Sequence, residues 1–186
     1  ILNRISFSGE LGYEIYVAPQ FHLKLFEEIE VNGKDLGLKL YGSRALMSLR
    51  LEKNWGVWTL DFRPDFTSLE SGLDAFINWD KNFVGKEAAL NEKKQGPNKK
   101  LVTMTVDTKD IDVTNDEAIL KDNKCVGYVT SGGYAHHVKK SMALGYVPTN
   151  FSKHETILDI EINGIFYKAH VTDRPLYDAN GEKMKS

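Results

Sequence analysis

The sequence is poor in cysteine and carries almost no net charge. Its one cysteine, Cys125, cannot form an internal disulfide, and no second thiol is present for a zinc or iron–sulfur site. The 24 basic and 26 acidic side chains create no strong field toward nucleic acid or an anionic membrane. No stretch approaches the roughly 18 consecutive apolar residues of a membrane-spanning helix. Nucleic-acid and membrane partners are therefore not expected, and a bacterial cytoplasmic or mitochondrial-matrix location is predicted.

The sequence also has no initiator methionine and no secretory signal. It opens on Ile1-Leu2-Asn3-Arg4, without a basic segment followed by an apolar one, and it starts inside a strand-like pattern. This opening predicts that the chain is a fragment and that an upstream region of the same protein is missing.

The first half of the sequence mixes short strand patterns with amphipathic helix patterns. β-Forming residues over 4–8 and 13–17 flank Gly9–Gly12 and predict a hairpin. Apolar residues at helical spacing predict helices over about 19–33, 43–53 and 85–94. The second helix is expected to turn Leu46, Met47 and Leu49 inward. Residues 55–62 are predicted to be an extended segment or a packed loop, and residues 69–79 a turn followed by a strand.

The composition and pattern of the sequence change near residue 96. The stretch 93–100 is charged, contains Gly96-Pro97 and has no apolar residue, so it is predicted to be a linker. After it, Gly- and Asn-containing turns separate short β-rich segments, predicted over residues 101–106, 118–120, 124–130, 141–147, 157–162 and 165–172. The expected fold is α+β, with an α/β domain over 1–94 and a small antiparallel barrel or sandwich over 98–186.

Common nucleotide and nucleophile motifs are absent from the sequence. Gly85-Lys86 lacks the upstream glycine of a phosphate loop, and no GxGxxG or GxSxG pattern occurs. The pair His136-His137 is adjacent to Lys139-Lys140, but adjacent histidines point in different directions on most backbones. A solvated loop is therefore predicted there, and no metal site.

The segment around Glu14 carries the most chemical information. In the predicted hairpin Glu14 follows a glycine-rich turn and lies among Phe7, Tyr13 and Tyr16. A carboxylate accepts two parallel N–H donors of a pterin or guanine-like ring, and a flanking aromatic side chain covers the ring face. The alternative is a surface glutamate on a strand with tyrosines packing locally. The residues alone leave both interpretations open.

Six segments of the sequence form a recognisable series: Arg4–Ile15, Leu49–Lys53, Leu60–Leu73, Phe83–Ala88, Gly127–Gly132 and Lys140–Pro148. Together they resemble the glycine cleavage T-protein family, in order and along essentially the whole chain. Residues 60–73 are more similar to sarcosine and dimethylglycine dehydrogenases than to free T-proteins.

The resemblance implies tetrahydrofolate-dependent one-carbon transfer from a small methylated amine or an aminomethyl donor. It places the later part of a folate-binding region at about 1–94 and the family's final barrel at about 98–186. The family's catalytic aspartate and any FAD-binding domain lie outside this chain, so the isolated chain is expected to be inactive and to bind folate weakly at best.

The resemblance also implies the folate-binding residues. Glu14, rather than Glu10, corresponds to the family's pterin-binding glutamate, and Tyr13 flanks it. Phe7 stands where relatives often carry a tyrosine that contacts the ring. Free T-proteins have a folate-contacting arginine at the position of Leu46. Arg44 is the nearest upstream arginine here, and either an acidic ligand or a helix-surface ion pair is expected for it.

Two other functions remain open at the level of sequence. One is a non-catalytic folate-binding or scaffold protein that kept the fold. The other is a protein-interaction module without a ligand.

Overall fold

The first half of the chain contains helices joined by long loops and one pair of short strands, in a computed structural model that describes residues 1–173 and 175–185. Strands β1 (Leu2–Asn3) and β2 (Glu14–Ile15) pair antiparallel, with Asn3 opposite Glu14. The three predicted helices are confirmed as α1 (His22–Gly33), α2 (Ser43–Glu52) and α3 (Lys86–Gln95). Single 3-10 turns lie at Pro19–Phe21, Lys34–Leu36 and Asp74–Phe76.

Two strand predictions in this half were wrong. The hairpin strands are only two residues long, because residues 4–13 form a wide loop instead of continuing the ladder. The strand expected within residues 69–79 is replaced by turns and the 3-10 turn at Asp74–Phe76. Local backbone bonds, such as Ser71 N–H to the Thr67 carbonyl, occupy groups that a strand partner would need. Residues 55–62 are a packed loop with one isolated bridge.

The second half forms a closed antiparallel barrel of six strands, which confirms the predicted fold class. The strands are β3 (Lys99–Val106), β4 (Ala118–Lys121), β5 (Lys124–Ala135), β6 (Lys140–Pro148), β7 (Ile157–Ile162) and β8 (Ile165–Thr172). Their order is β3-β6-β5-β4-β7-β8, and β8 closes the ring by pairing with β3. Only residues 96–98 separate α3 from β3, so the predicted linker is much shorter than expected.

Two-residue turns set the register of the barrel hairpins. Asp122 and Asn123 have φ of 50° and 60°, and Asn163 and Gly164 have φ of 51° and 80°. Two consecutive positive φ values match the twist of the adjoining strands, and Asn, Asp and Gly tolerate them best. These turns explain why the sequence predicted β4, β7, β8 and the start of β5 closely.

The barrel is buried inside and also on part of its outer face. The interior holds one apolar cluster: Val102, Met104, Val106, Val113, Ile119, Val129, Ala143, Val147, Leu158, Ile160, Ile162, Ala169 and Val171. A second cluster joins Leu51 of α2 to Ala135, Met142 and Leu144 on the outer face. Strand β6 is therefore buried on both sides, and α2 is fixed to the barrel through β5 and β6.

The residues at the start of the chain are far less buried than those of the barrel. No residue of α1 is buried, and Phe21, Phe26 and Ile29 are exposed although they are apolar residues at helical spacing. A short terminal helix α4 (Glu182–Lys185) also has no buried residue. Among the residues described, no helix is long and apolar enough to cross a membrane.

Candidate functional site

The loop that leads to Glu14 is shaped by contacts of its own glycines. Gly9 has φ of +77°, and a Cβ there would lie 2.4 Å from Cδ of Lys53. A Cβ on Gly12 would lie 2.9 Å from the Ile5 carbonyl oxygen. Both positions therefore require glycine, one for backbone conformation and one for close approach. The Ser8 hydroxyl accepts the Glu10 N–H at 3.2 Å and tightens the turn between them.

Lys53, just after the end of α2, binds this loop to the end of the chain. Its Nζ lies 2.5 Å from the Gly9 carbonyl oxygen, 2.9 Å from Oε1 of Glu10 and 2.8 Å from Oδ2 of Asp178. Burial lowers the pKa of Lys53, but hydrogen bonds and charges from Asp178 and Glu10 outweigh it and raise the pKa above its ordinary 10.5. The hydrogen bond from Lys53 lowers the pKa of Asp178 below its ordinary 3.8.

These shifts predict the pH dependence of the Lys53–Asp178 pair. The carboxylate stabilises the fold above the unfolded pKa of Asp178, and this contribution is lost as pH falls through its lower folded pKa. Asp178→Asn keeps an oxygen for the Glu182 N–H, which binds Oδ1, but removes the charge and the Oδ2 acceptor of the Lys183 N–H and of Lys53. The variant should be less stable at pH 6, with a shallower loss of stability below pH 5. Urea unfolding across pH 3–6 measures this. The exposed Asp110→Asn is the control, and equal slopes for wild type and Asp178→Asn would contradict the prediction.

Glu14 is the acidic residue of this segment that has no cationic partner among residues 1–173 and 175–185. It is half-buried on β2, and in the described part of the chain its carboxylate is bound by a single donor, the Tyr16 hydroxyl, at Oε2. That hydrogen bond raises the pKa of Tyr16. Alternating residues of an extended strand share a face, so Tyr16 lies on the side of Glu14 and Tyr13 on the other. The sequence pattern identified Tyr16 as a neighbour but not as this donor.

The other predicted site residues make no hydrogen bond or ion pair with the Glu14 carboxylate among the residues described. Phe7 and Tyr13 are exposed by 42% and 57%, and neither makes a ring contact with another described residue. Arg44, in the first turn of α2, is exposed. It forms no ion pair within residues 1–173 and 175–185, so the expected helix-surface pair was wrong. These three residues remain predictions for folate binding.

A buried charge cluster joins the end of α2 to the loop that follows it. Arg50 Nη1 lies 3.1 Å from Oδ2 of Asp61, and the two side chains are 3% and 0% exposed. Ser131 donates to both oxygens of Asp61 at 2.8 and 2.9 Å, and Thr130 also donates to Oδ1. Burial lowers the pKa of Arg50, and the charge and hydrogen bond of Asp61 only partly offset this lowering. The cluster ties the loop after α2 to strand β5 of the barrel.

Tyr146 extends the cluster around the outer face of the barrel. Its hydroxyl donates to the Asp61 carbonyl oxygen at 2.9 Å and lies 2.7 Å from the Ser71 hydroxyl. Burial raises the pKa of Tyr146 to about 12, so the phenol stays protonated and remains a donor. Phe66 stacks on the ring at 3.5 Å.

The segment that contains His136-His137 is not the simple solvated loop that was predicted. His137 lies in the turn between β5 and β6, where its Nδ1 is 2.7 Å from Oε2 of Glu52 and its backbone N–H donates to Oε1 at 3.1 Å. Glu52 is fully buried, and Tyr177 stacks on the His137 ring at 4.2 Å. Glu52 is 85 residues away in sequence, so the sequence pattern could not reveal this pair. Within the described ranges, no group of three or more His, Cys, Asp or Glu residues is arranged to hold a metal.

Two cavities flank these features. One of about 300 Å³ lies beside the Glu14 loop and is lined by Arg4, Ile5, Ser6, Leu11, Gly12, Met184 and Lys185. Another of about 580 Å³ lies at the start of α3, where Phe83, Ala88 and Glu92 are part of its wall. Glu14 lines neither cavity. The carboxylate therefore lies beside the cavity at the loop and outside it.

Comparisons with known proteins match the chain in two consecutive parts. The model of the "GCVT N-terminal domain" matches residues 1–81, and that of the "Glycine cleavage T-protein C-terminal barrel domain" matches residues 99–178. Among solved structures, the aminomethyltransferase T of the glycine cleavage system from Bartonella henselae has a TM-score of 0.82 at 24% identity. It aligns with 96% of this chain and 50% of its own. At this identity the likeness concerns the fold.

Curated relatives include both transferases and oxidoreductases. Human mitochondrial dimethylglycine dehydrogenase is 36% identical over 93% of this chain and 20% of its own length. An aminomethyltransferase of Caldanaerobacter subterraneus is 33% identical over 98% of this chain and 49% of its own length. The 4-methylaminobutanoate oxidase (formaldehyde-forming) of Paenarthrobacter nicotinovorans is 32% identical over 98% of this chain and 22% of its own. The chain thus spans about half the length of the transferases and about a fifth of the oxidoreductases.

Proposed function

Because the chain belongs to the glycine cleavage T-protein family, we propose that it takes part in tetrahydrofolate-dependent one-carbon transfer. Its setting is an aminomethyltransferase or a sarcosine/dimethylglycine dehydrogenase-like protein. The relatives with these names support the general class of reaction. In this proposal residues 1–94 supply the later part of the folate-binding region, and residues 98–186 supply the barrel domain.

The observation that carries the proposal is the state of the Glu14 carboxylate. In the segment from Ser8 to Glu14, the polar and glycine residues before Glu14 have structural partners: Ser8 with Glu10, Gly9 and Glu10 with Lys53, and Gly12 with Ile5. Glu14 is half-buried and, among the residues that the structure describes, has one neutral donor, which leaves an oxygen able to accept from a ligand. A partly desolvated carboxylate without a cation is costly unless it binds something.

In the reaction, tetrahydrofolate supplies the amines that capture the one-carbon unit. The role of this chain is to hold and orient the pterin, with Glu14 accepting its N–H donors and Phe7, Tyr13 and Arg44 as further contacts. The donor is a small methylated amine or an aminomethyl group. By the family resemblance, proton transfer to or from the reacting centre belongs to an aspartate outside this chain, and FAD belongs to a separate domain. The compartment is the mitochondrial matrix or the bacterial cytoplasm.

Glu14→Gln tests this proposal. Losing a charged hydrogen-bond acceptor should cost about 1.5–3 kcal/mol, which is a rise in Kd of about 10- to 150-fold. Isothermal titration of the full-length protein with tetrahydrofolate measures the change. Glu87→Gln removes an exposed carboxylate at the start of α3 and is the matched control, expected to leave Kd unchanged.

The same titration, together with an assay of one-carbon transfer, separates the alternatives. Equal Kd for wild type and Glu14→Gln would sink the proposed binding mode, and no binding by the full-length protein would favour an interaction module. Folate binding without one-carbon transfer would favour a non-catalytic binding protein. Sub-micromolar binding by residues 1–186 alone would contradict the expectation that this chain binds weakly.

A further inference from the structure

Lys53 is buried at the meeting point of three chain segments. Its side chain is 2% exposed, although lysine is a residue type that is rarely buried. The methylene stem packs on Gly9, and Nζ contacts the loop before β2 and the segment before α4. Glu10 and Asp178 are 30% and 7% exposed, so both anions depend on the same cation.

The segment from Glu10, which Lys53 binds, to Glu14 is short and is held at both ends. Lys53 fixes it at Gly9 and Glu10, and the pairing of Asn3 with Glu14 fixes it at β2. Only Leu11, Gly12 and Tyr13 lie between these points, and Gly12 packs on the Ile5 carbonyl. A displacement at Glu10 therefore has little chain in which to be absorbed before it reaches Glu14.

On the basis of the proposed function, we propose that Lys53 is a positioning residue for folate binding. It holds the loop that carries Glu14 in place without touching the ligand. Without its ammonium group, the carboxylates of Glu10 and Asp178 face each other unneutralised, and the Gly9 carbonyl loses its donor. The loop then gains freedom that must be given up when a ligand binds, and affinity falls for that reason.

The test uses the full-length protein with Lys53→Met, Glu10→Gln and the double variant. Lys168→Met is the matched control, since it removes a lysine from a surface pair with Asp159 on the barrel. Titration with tetrahydrofolate should give a Kd about tenfold higher for Lys53→Met, which corresponds to about 1.4 kcal/mol. The double variant should resemble Lys53→Met, because residues that act through one contact are not additive. Lys53→Arg, which keeps the charge, should recover part of the affinity.

Hydrogen exchange gives a readout that needs no ligand. Amides of residues 9–14 should exchange at least about tenfold faster in Lys53→Met and in Glu10→Gln, while the barrel strands stay protected. Lys168→Met should leave the loop unchanged. Glu10→Gln retains the Lys53–Asp178 pair, so it decides the outcome should Lys53→Met fail to fold.

The two proposals fail in different ways. The proposed role of Lys53 is overturned if the amides of residues 9–14 exchange at the wild-type rate in both Lys53→Met and Glu10→Gln. It is also overturned if the Kd for tetrahydrofolate is unchanged in both variants. A different result is that the wild-type protein binds no folate while the loop still exchanges faster in the variants. That result overturns the proposed function and limits the role of Lys53 to holding the loop.

Discussion

Asp61→Asn should destabilise the protein by about 3–5 kcal/mol, the range for breaking a buried ion pair on one side. The substitution keeps the size of the side chain but removes the only charge that faces Arg50 within the described chain. The Arg50 side chain is 3% exposed and cannot reach water to replace that charge. Asparagine also turns an acceptor toward Ser131 and Thr130 into a group that donates on one side. Urea unfolding followed by circular dichroism measures the loss.

Asp65→Asn is the control for this prediction. Asp65 pairs with Arg63 at 3.0 Å, but the side chains are 60% and 43% exposed. Pairs in water contribute at most about 1 kcal/mol, so the control should change stability little. Similar unfolding free energies for the two variants would show that the cluster around Asp61 does not stabilise the fold.

Gly127→Ala should be at least as damaging, at about 3 kcal/mol or more. Gly127 lies on β5 opposite Ile119 of β4. A Cβ at this position would lie 1.9 Å from the Tyr146 carbonyl oxygen, a backbone atom of the neighbouring strand β6. Because a carbonyl cannot rotate away as a side chain does, β5 and β6 would have to separate. Thermal unfolding or expression in soluble form measures the result.

Gly42→Ala is the matched glycine substitution. Gly42 precedes α2 with φ of −91°, which alanine adopts readily, and no atom lies within 4 Å of the added Cβ. Gly42 is the N-cap of α2 and alanine caps less well than glycine, so the substitution should cost at most about 1 kcal/mol. A Gly127→Ala protein as stable as this control would contradict the steric argument.

The barrel could be predicted from the sequence because its signals are local. Turn residues such as Asn163-Gly164 separate runs of β-forming residues, and both strand ends and turns depend on neighbours in sequence. All six predicted strands are present, and the main error was length: β5 continues to Ala135 through two glycines. What the sequence left open was sandwich against barrel, because closure depends on the pairing of β3 with β8.

The first half was predicted less well, since its structure depends on contacts between distant residues. Strand patterns around Gly9–Gly12 suggested a tight hairpin, but Lys53 and the Ile5 carbonyl shape a wide loop instead. In α2, hydrophobicity favoured Leu46, Met47 and Leu49 as the inward residues. The buried residues are Arg50, Leu51 and Glu52, because the barrel surface offers Ser131 and His137 as partners.

The candidate site shows the same division. Glu14 was identified by a local motif and is indeed half-buried next to Tyr16. Lys53, Asp61 and Glu52 were missed as anchors, since charged residues on a helix or a loop are expected to face water. Their partners come from residues 9–10, 130–131, 137 and 178, which no spacing rule connects.

The pairing of β3 with β8 also bears on how the chain is made. Met104 of the first barrel strand lies opposite Val171 of the last one, so the ring stays open until β8 has been synthesised. During translation the apolar side chains of β3 and β6 therefore stay exposed until the barrel closes. Folding through such non-local strand pairings is slow. Newborn chains should therefore be at their most vulnerable to chaperone capture and proteolysis just before β8 emerges from the ribosome.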